Sequence, residues 1–340
     1  MGKDLTNSNV DRQNILNNQY AVSEIKKAVG LNGLLFDNKI WFLKEQLAEF
    51  FEITTRTIDN YLINYEDELR GNGYEVLRGK ALAEFKIESK SLDANEIDFV
   101  NIKASQLGIF DFRAFLNISM LLTESEIARE LRTTILDIVI DTINIRTGGG
   151  TKYINQRDED FLSSWYDEEN YRKQFTDALK NFVDMGQFKY PLFTDKIYVS
   201  IFMEKAKEYR AVLKLQTKDK ERDTFYSEIL DLVSSFECGF ADLLRTGYEL
   251  QGRKLSYWET EEIYITFENQ AHWKPLIIKA RKKMASRDLV FRDALHHQLK
   301  EYLTPLEAGE FDRFLGEKSK ELSDRLNEAK DVMKRLKDRE

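Results

Sequence analysis

The sequence predicts a mainly α protein: an N-terminal helix-turn-helix, accompanied by a short β-hairpin, followed by a larger helical C-terminal region. Three observations carry this expectation. Only 3 of the 340 residues are Pro, so helices meet few obligatory breaks. Apolar residues recur at helical spacing through the second half, as at Phe193, Ile197, Phe202 and Tyr209, then at Ile229, Leu232, Phe236, Phe240 and Leu244. Two helical segments, 43–51 and 54–63, are parted by a turn too short for anything but a steep crossing of their axes.

A chain of this length can form two or more domains, each with its own core. With 42% hydrophobic and 32% charged residues, it reads as folded and water-soluble. No run of about 18 apolar residues occurs, so no membrane partner is expected. Residues 1–18 are polar, without a charged leader running into an apolar stretch, and the expected address is cytoplasmic. The single cysteine, Cys238, fits a reducing compartment and a buried structural thiol.

In chain order, 1–29 is expected to be a polar leader and first helix, and 30–90 the helix-turn-helix domain. The latter opens on a hairpin, Leu34-Leu35-Phe36, Asp37-Asn38, Lys39-Ile40-Trp41. Helix is expected from 43 to 85, broken by a turn at Gly71-Asn72-Gly73, then a linker at 88–96. Residues 97–145 form a helical segment whose main helix begins at Thr123, which stands three before Glu126 as in a capping box. A Gly-containing loop spans 146–160, a helical C-terminal domain 161–310, and a terminal helix 311–340. Thr217 and Asp223 bracket a charged stretch read as an exposed loop. In the terminal helix Leu315, Leu322, Leu326, Ala329, Met333 and Leu336 repeat at a and d positions, which suits either packing on the chain's own domain or a homodimeric coiled coil.

The crossing of the two short helices needs a small residue where the axes meet. Ala48 is that residue, and Leu47, Phe51, Ile53, Ile58 and Tyr61 surround it. The lattice resembles the bacterial helix-turn-helix family, with one departure: the turn position usually held by Gly is Glu52, where positive φ is uncommon. Thr54 suits an N-cap, and the second helix presents Thr55, Arg56, Asp59, Asn60 and Ile63 outward. In this docking mode the N-terminal part of the second helix enters the major groove and its side chains reach base edges, so the expected partner is double-stranded DNA. Arg56 would bridge a guanine and Asn60 an adenine. Arg70, Arg78, Lys80 and Lys86 would hold phosphates. The field does not help: residues 1–90 carry 12 Lys and Arg against 14 Asp and Glu, the whole chain is at −8, and Glu66-Asp67-Glu68 follows the second helix.

Asn38-Lys39-Ile40-Trp41-Phe42-Leu43 running into Leu47-Ala48-Glu49-Phe50-Phe51 resembles the N-terminal region of RhuM-type virulence proteins. Met120-Leu121-Leu122-Thr123-Glu124-Ser125-Glu126-Ile127-Ala128-Arg129-Glu130-Leu131-Arg132 is similar to a helix of phage antirepressor-like proteins. Together these resemblances span about residues 30–145. They imply a bacterial or prophage-encoded, sequence-specific DNA-binding protein of a mobile element, acting in gene control or in a toxin or defence locus. They imply no chemistry.

One loop offers an anion site. Gly148, Gly149 and Gly150 expose successive amides, and Arg146, Lys152 and Arg157 stand near enough in sequence to close around a phosphate. The spacing is neither a P-loop nor a dinucleotide fingerprint, and a plain connecting loop is the competing reading. Of three histidines, His296 and His297 are adjacent and point about 100° apart on a helix, so they form no chelating pair. No metal, cofactor or catalytic residue is nominated. The enzymatic reading, a toxin-like or nucleotide-modifying site in 150–300, rests on no motif, and a dimeric interaction scaffold is the third class.

Overall fold

The computed structural model describes residues 4–30, 33–90 and 105–316, and the chain divides into two units, Met1–Thr142 and Ile143–Glu340. Both are dominated by helix, as expected, and among the described residues the sheet lies in unit 1. Among the described residues no helix is long and apolar enough to cross a membrane.

Unit 1 begins with α1 (Asn9–Asn17) and α2 (Gln19–Val29). The expected polar leader is therefore largely helix. Its polar residues act as caps and anchors rather than as a solvated tail: the Ser8 hydroxyl accepts the Asp11 amide at 3.2 Å, and the Asn18 side chain accepts the Ala21 amide at 3.1 Å. Leu5, Ile15 and Leu16 join the core. Arg12 is buried and donates to both carboxylate oxygens of Glu68, at 2.7 and 2.8 Å, and to the Leu5 and Thr6 carbonyls.

The hairpin follows as β1 (Leu34–Phe36) and β2 (Lys39–Leu43). Asp37 and Asn38, at φ 50° and 58°, form the two-residue turn with positive φ at both positions that matches strand twist. Then come α3 (Lys44–Phe50), α4 (Thr55–Asn64), α5 (Glu66–Gly71), β3 (Tyr74–Arg78), α6 (Gly79–Lys90), β4 (Gln106–Phe110), α7 (Phe112–Leu121) and α8 (Glu126–Arg146). The strands are antiparallel in the order β1-β2-β4-β3, with Phe42 opposite Phe110 and Tyr74 to Arg78 opposite Phe110 to Gln106.

Strand alternation sends side chains to two cores. Phe42 and Phe110 face a core shared with Leu47, Phe51 and Ile58 of the helical pair and Phe115 of α7. Trp41, Leu43 and Ile109 face a second core closed by Leu77 and by Leu82 and Phe85 of α6. β4 thus lies between β2 and β3, and α7 packs into the core of the helix-turn-helix. This places 105–142 in the same unit as 33–90 rather than in a separate segment. α6 also runs to Lys90, two residues past the start of the expected linker; 91–96 lie outside the described residues.

α8 starts at Glu126, not at Thr123. Its cap is Ser125, whose Oγ accepts the Ala128 amide at 3.1 Å while donating to the Phe51 carbonyl at 2.7 Å. The Thr123 hydroxyl is engaged by Tyr61 at 3.2 Å instead.

Unit 2 comprises α9 (Phe161–Phe182), α10 (Lys189–Phe202), α11 (Ala206–Val212), α12 (Ser227–Gln251), α13 (Tyr257–Glu268), α14 (Trp273–Phe291) and α15 (Ala308–Leu315). The long helices α9 and α12 run parallel, with Phe175 against Phe240 and Phe182 against Tyr248. Cys238 is half-buried on α12. α15 buries Phe311, Phe314 and Leu315, so the first residue of the proposed seam is spent on unit 2's own core. The rest of that seam lies outside the described residues.

Candidate nucleic-acid interface

α3 and α4 form the crossing that the lattice around Ala48 predicts. Leu47, Ala48, Phe51 and Ile58 are buried, and Ile53 and Tyr61 pack against them. Phe51 stacks on Phe115 with ring centroids 5.3 Å apart. The turn is a left-handed C-cap: Glu52 sits at φ 52°, its amide donates to the Glu49 carbonyl at 3.2 Å, and the Ile53 amide reaches back to Ala48 at 2.9 Å. That bond pair satisfies two carbonyls at the end of α3. Glu52 therefore bears the left-handed strain that a glycine would avoid, roughly 1–2 kcal/mol.

Thr54 caps α4, its hydroxyl accepting the Thr57 amide at 3.2 Å. Arg56 and Asn60 are exposed, and among the described residues neither forms a hydrogen bond or ion pair. Thr55 is half-buried beside them. Asp59 is held by Lys44 at 2.9 Å, which removes it from the outward set. Beyond Asn60 an open depression of about 350 Å³ is lined by Asn60, Tyr61, Ile63, Asn64, Tyr65 and Glu124. Burial raises the Tyr61 hydroxyl's pKa, and that hydroxyl donates to Glu124 at 2.8 Å. Burial works against the Glu124 charge, yet this bond and those from Thr123 hold its carboxyl below the usual range.

The acidic triplet after α4 is partly neutralised. Glu68 points inward to Arg12, and Glu66 pairs with Arg70 at 2.8 Å, which leaves Asp67 exposed. Arg70 also lies over the Tyr74 ring at 5.4 Å, but an exposed ion pair is worth only about 0–1 kcal/mol and exchanges readily for a phosphate. Arg78 is exposed at the end of β3, four residues or about 13 Å beyond Tyr74. Lys80 is exposed and 3.3 Å from Glu84.

The glycine loop is built differently from an anion cradle. The Gly148, Gly149 and Gly150 amides donate to the carbonyls of Ile145, Asn144 and Thr147 at 3.2, 2.8 and 3.2 Å, closing the C-terminus of α8 with Gly148 at φ 61°. The cations are engaged as well: Arg146 donates to the Leu315 carbonyl at 3.0 Å, Arg157 to the Arg146 carbonyl, and Lys152 to Asp219 at 3.1 Å. The loop is a helix cap with cationic struts.

Sequence reasoning missed the buried charge of unit 2. His296 lies between two carboxylates, with Nδ1 2.8 Å from Glu204 and Nε2 2.7 Å from Asp288. Burial opposes a charged ring, but the two carboxylates outweigh it and raise its pKa to about 9. Asp288 also accepts from Tyr226 at 2.7 Å and pairs with Arg292 at 3.3 Å. Arg287, fully buried, bridges Glu228 and Glu310 at 2.8 and 2.6 Å. Arg222, from the stretch read as an exposed loop, pairs with Glu237 at 2.8 Å and with Glu168. Apart from Asp288 and Arg292, which stand four residues apart, these partners come together only through tertiary contact, so no spacing rule reveals the network. The groups are enclosed and mutually paired, as in a structural network. No protein-family model, curated protein or solved structure matches the chain.

Proposed function

We propose that unit 1 binds double-stranded DNA in a sequence-dependent way, with α4 lying in the major groove. The observation that carries this is the pairing of a rigid α3–turn–α4 crossing with an outward face on which Arg56 and Asn60 stay uncommitted. Both project from a helix capped by Thr54, on which Thr57, Asp59 and Tyr61 already hold polar partners. Arg56 suits guanine O6 and N7, and Asn60 suits adenine N6 and N7. Thr54 and Thr55 at the helix start, together with Arg70, Arg78 and Lys80, supply phosphate contacts. The resemblance of residues 30–145 to RhuM-type and antirepressor-like proteins supports a role in gene control on a mobile element.

The exposed carboxylates Glu45, Glu49 and Glu52 on α3 and its turn keep the field from assisting, so affinity rests on few cations. About three phosphate contacts would give a log–log salt slope near −3. The test is fluorescence anisotropy with duplex fragments in moderate salt. Arg56→Ala and Asn60→Ala should each weaken binding to the preferred duplex by about tenfold to a hundredfold, the equivalent of one bidentate contact. Unchanged affinity in both variants would sink the assignment of α4.

A further inference from the structure

We infer that Ile63 is a specificity-determining residue of α4 that reads the C5-methyl group of a thymine, so that the target carries an A·T pair about three base steps from the base read by Arg56. The inference rests on the DNA-binding reading above. Within α4, Ile58 is buried and Tyr61 and Leu62 are half-buried, whereas Ile63 is 76% exposed. Its position continues the reading face: Arg56, Asn60 and Ile63 are spaced four and three residues apart, one stripe of a helix. Seven residues at 1.5 Å rise span about 10 Å, or three base steps of about 3.4 Å.

The chemistry of the flanking side chains agrees. Asn60 and Asn64 border Ile63 in the open depression, and both carry an amide that matches the adenine major-groove edge. The partner of that adenine presents a methyl group in the same groove, and no other base pair offers an apolar surface there. An isoleucine between two asparagines is thus suited to an A·T pair and has nothing to gain from G·C. Glu124 lines the far side, where its carboxylate is occupied by the Tyr61 hydroxyl.

The experiment uses the full chain. A preferred duplex is first selected from a random-sequence pool, then remade with deoxyuridine at each thymine in turn, which deletes the methyl group and leaves every hydrogen-bonding edge intact. Wild type should lose about fourfold in affinity at one or two thymines, the value of a single buried methyl contact. Ile63→Ala should bind the thymine duplex several-fold more weakly and show no further loss on deoxyuridine; as an exposed position it tolerates truncation. Wild type indifferent to deoxyuridine throughout, or Ile63→Ala as sensitive as wild type, overturns the inference while leaving α4 as the reading helix if Arg56→Ala still weakens binding. Failure to enrich any sequence, with Arg56→Ala indistinguishable from wild type, overturns the DNA-binding reading and this inference with it.

Discussion

Removing the imidazole of His296 should abolish a pH dependence that the fold otherwise carries. His296 is clamped by Asp288 from α14 and by Glu204 just past α10, with the Tyr209 ring stacked at 6.0 Å and Arg292 and Tyr226 completing the shell around Asp288. Burial alone would lower its pKa; the two carboxylates win and raise it from 6.5 to about 9. A group whose folded pKa is raised stabilises the fold fully below its unfolded value and loses that contribution as pH climbs to the folded value. Here the window runs from 6.5 to about 9, and the difference amounts to about 3 kcal/mol. Urea unfolding at pH 6, 7.5 and 9, followed by tryptophan fluorescence, reads unit 2 through buried Trp273. Wild type should lose most of that 3 kcal/mol across the window. His296→Gln should start lower, because buried Glu204 loses its counter-charge and Asp288 keeps only Arg292, at a cost of about 3–5 kcal/mol, and should show a nearly flat profile. If wild type and variant fall in parallel from pH 6.5 to 9, the buried imidazolium account is wrong.

Glu52→Gly relieves the left-handed backbone at the end of α3, and after subtracting glycine's chain-entropy cost it should stabilise unit 1 by about 0.5–1 kcal/mol in thermal melts; destabilisation would deny that the turn is strained. Ser125→Ala removes both the α8 cap and the donor to the buried Phe51 carbonyl, so urea titration should register a loss of about 2–3 kcal/mol, against less than 0.5 for Thr123→Ala if the cap is Ser125 alone. Arg12→Met keeps the aliphatic packing but strips Glu68 of its partner, and unit 1 should lose about 3 kcal/mol at pH 7. A smaller loss at low pH is expected, because Arg12 and Asn9 hold the Glu68 carboxyl below its usual range despite burial, and the stability they confer disappears as that carboxyl protonates.

What the sequence made legible was whatever local spacing encodes. The α3–turn–α4 lattice, the strained Glu52, the Thr54 cap and the Asp37-Asn38 turn all follow from successive offsets of at most five residues. β3 and β4 escaped because their pairing joins Tyr74 to Phe110 across 36 residues, and a five-residue strand holding Gly108 has no local signature of its own. α1 was read as a polar leader because its anchors are themselves polar: Arg12 and Asn14 are buried, which inverts the usual pattern. The glycine loop misled for a related reason. A run of glycines suits an anion cradle and a helix C-cap equally, and only the direction of the Gly148, Gly149 and Gly150 amides separates the two. The ionic network of unit 2, with Arg313 reaching Asp158 at 2.7 Å, depends on tertiary contact.

The placement of α4 in the major groove is tested most directly by methylation interference at guanine N7 on the selected duplex, since that atom lies in the major groove and Arg56 is assigned to it. Premethylation of one guanine should exclude the fragment from the wild-type complex, and Arg56→Ala should bind more weakly and no longer discriminate. Complexes that form equally well whichever guanine is methylated, with interference confined to adenine N3 in the minor groove, would contradict that placement.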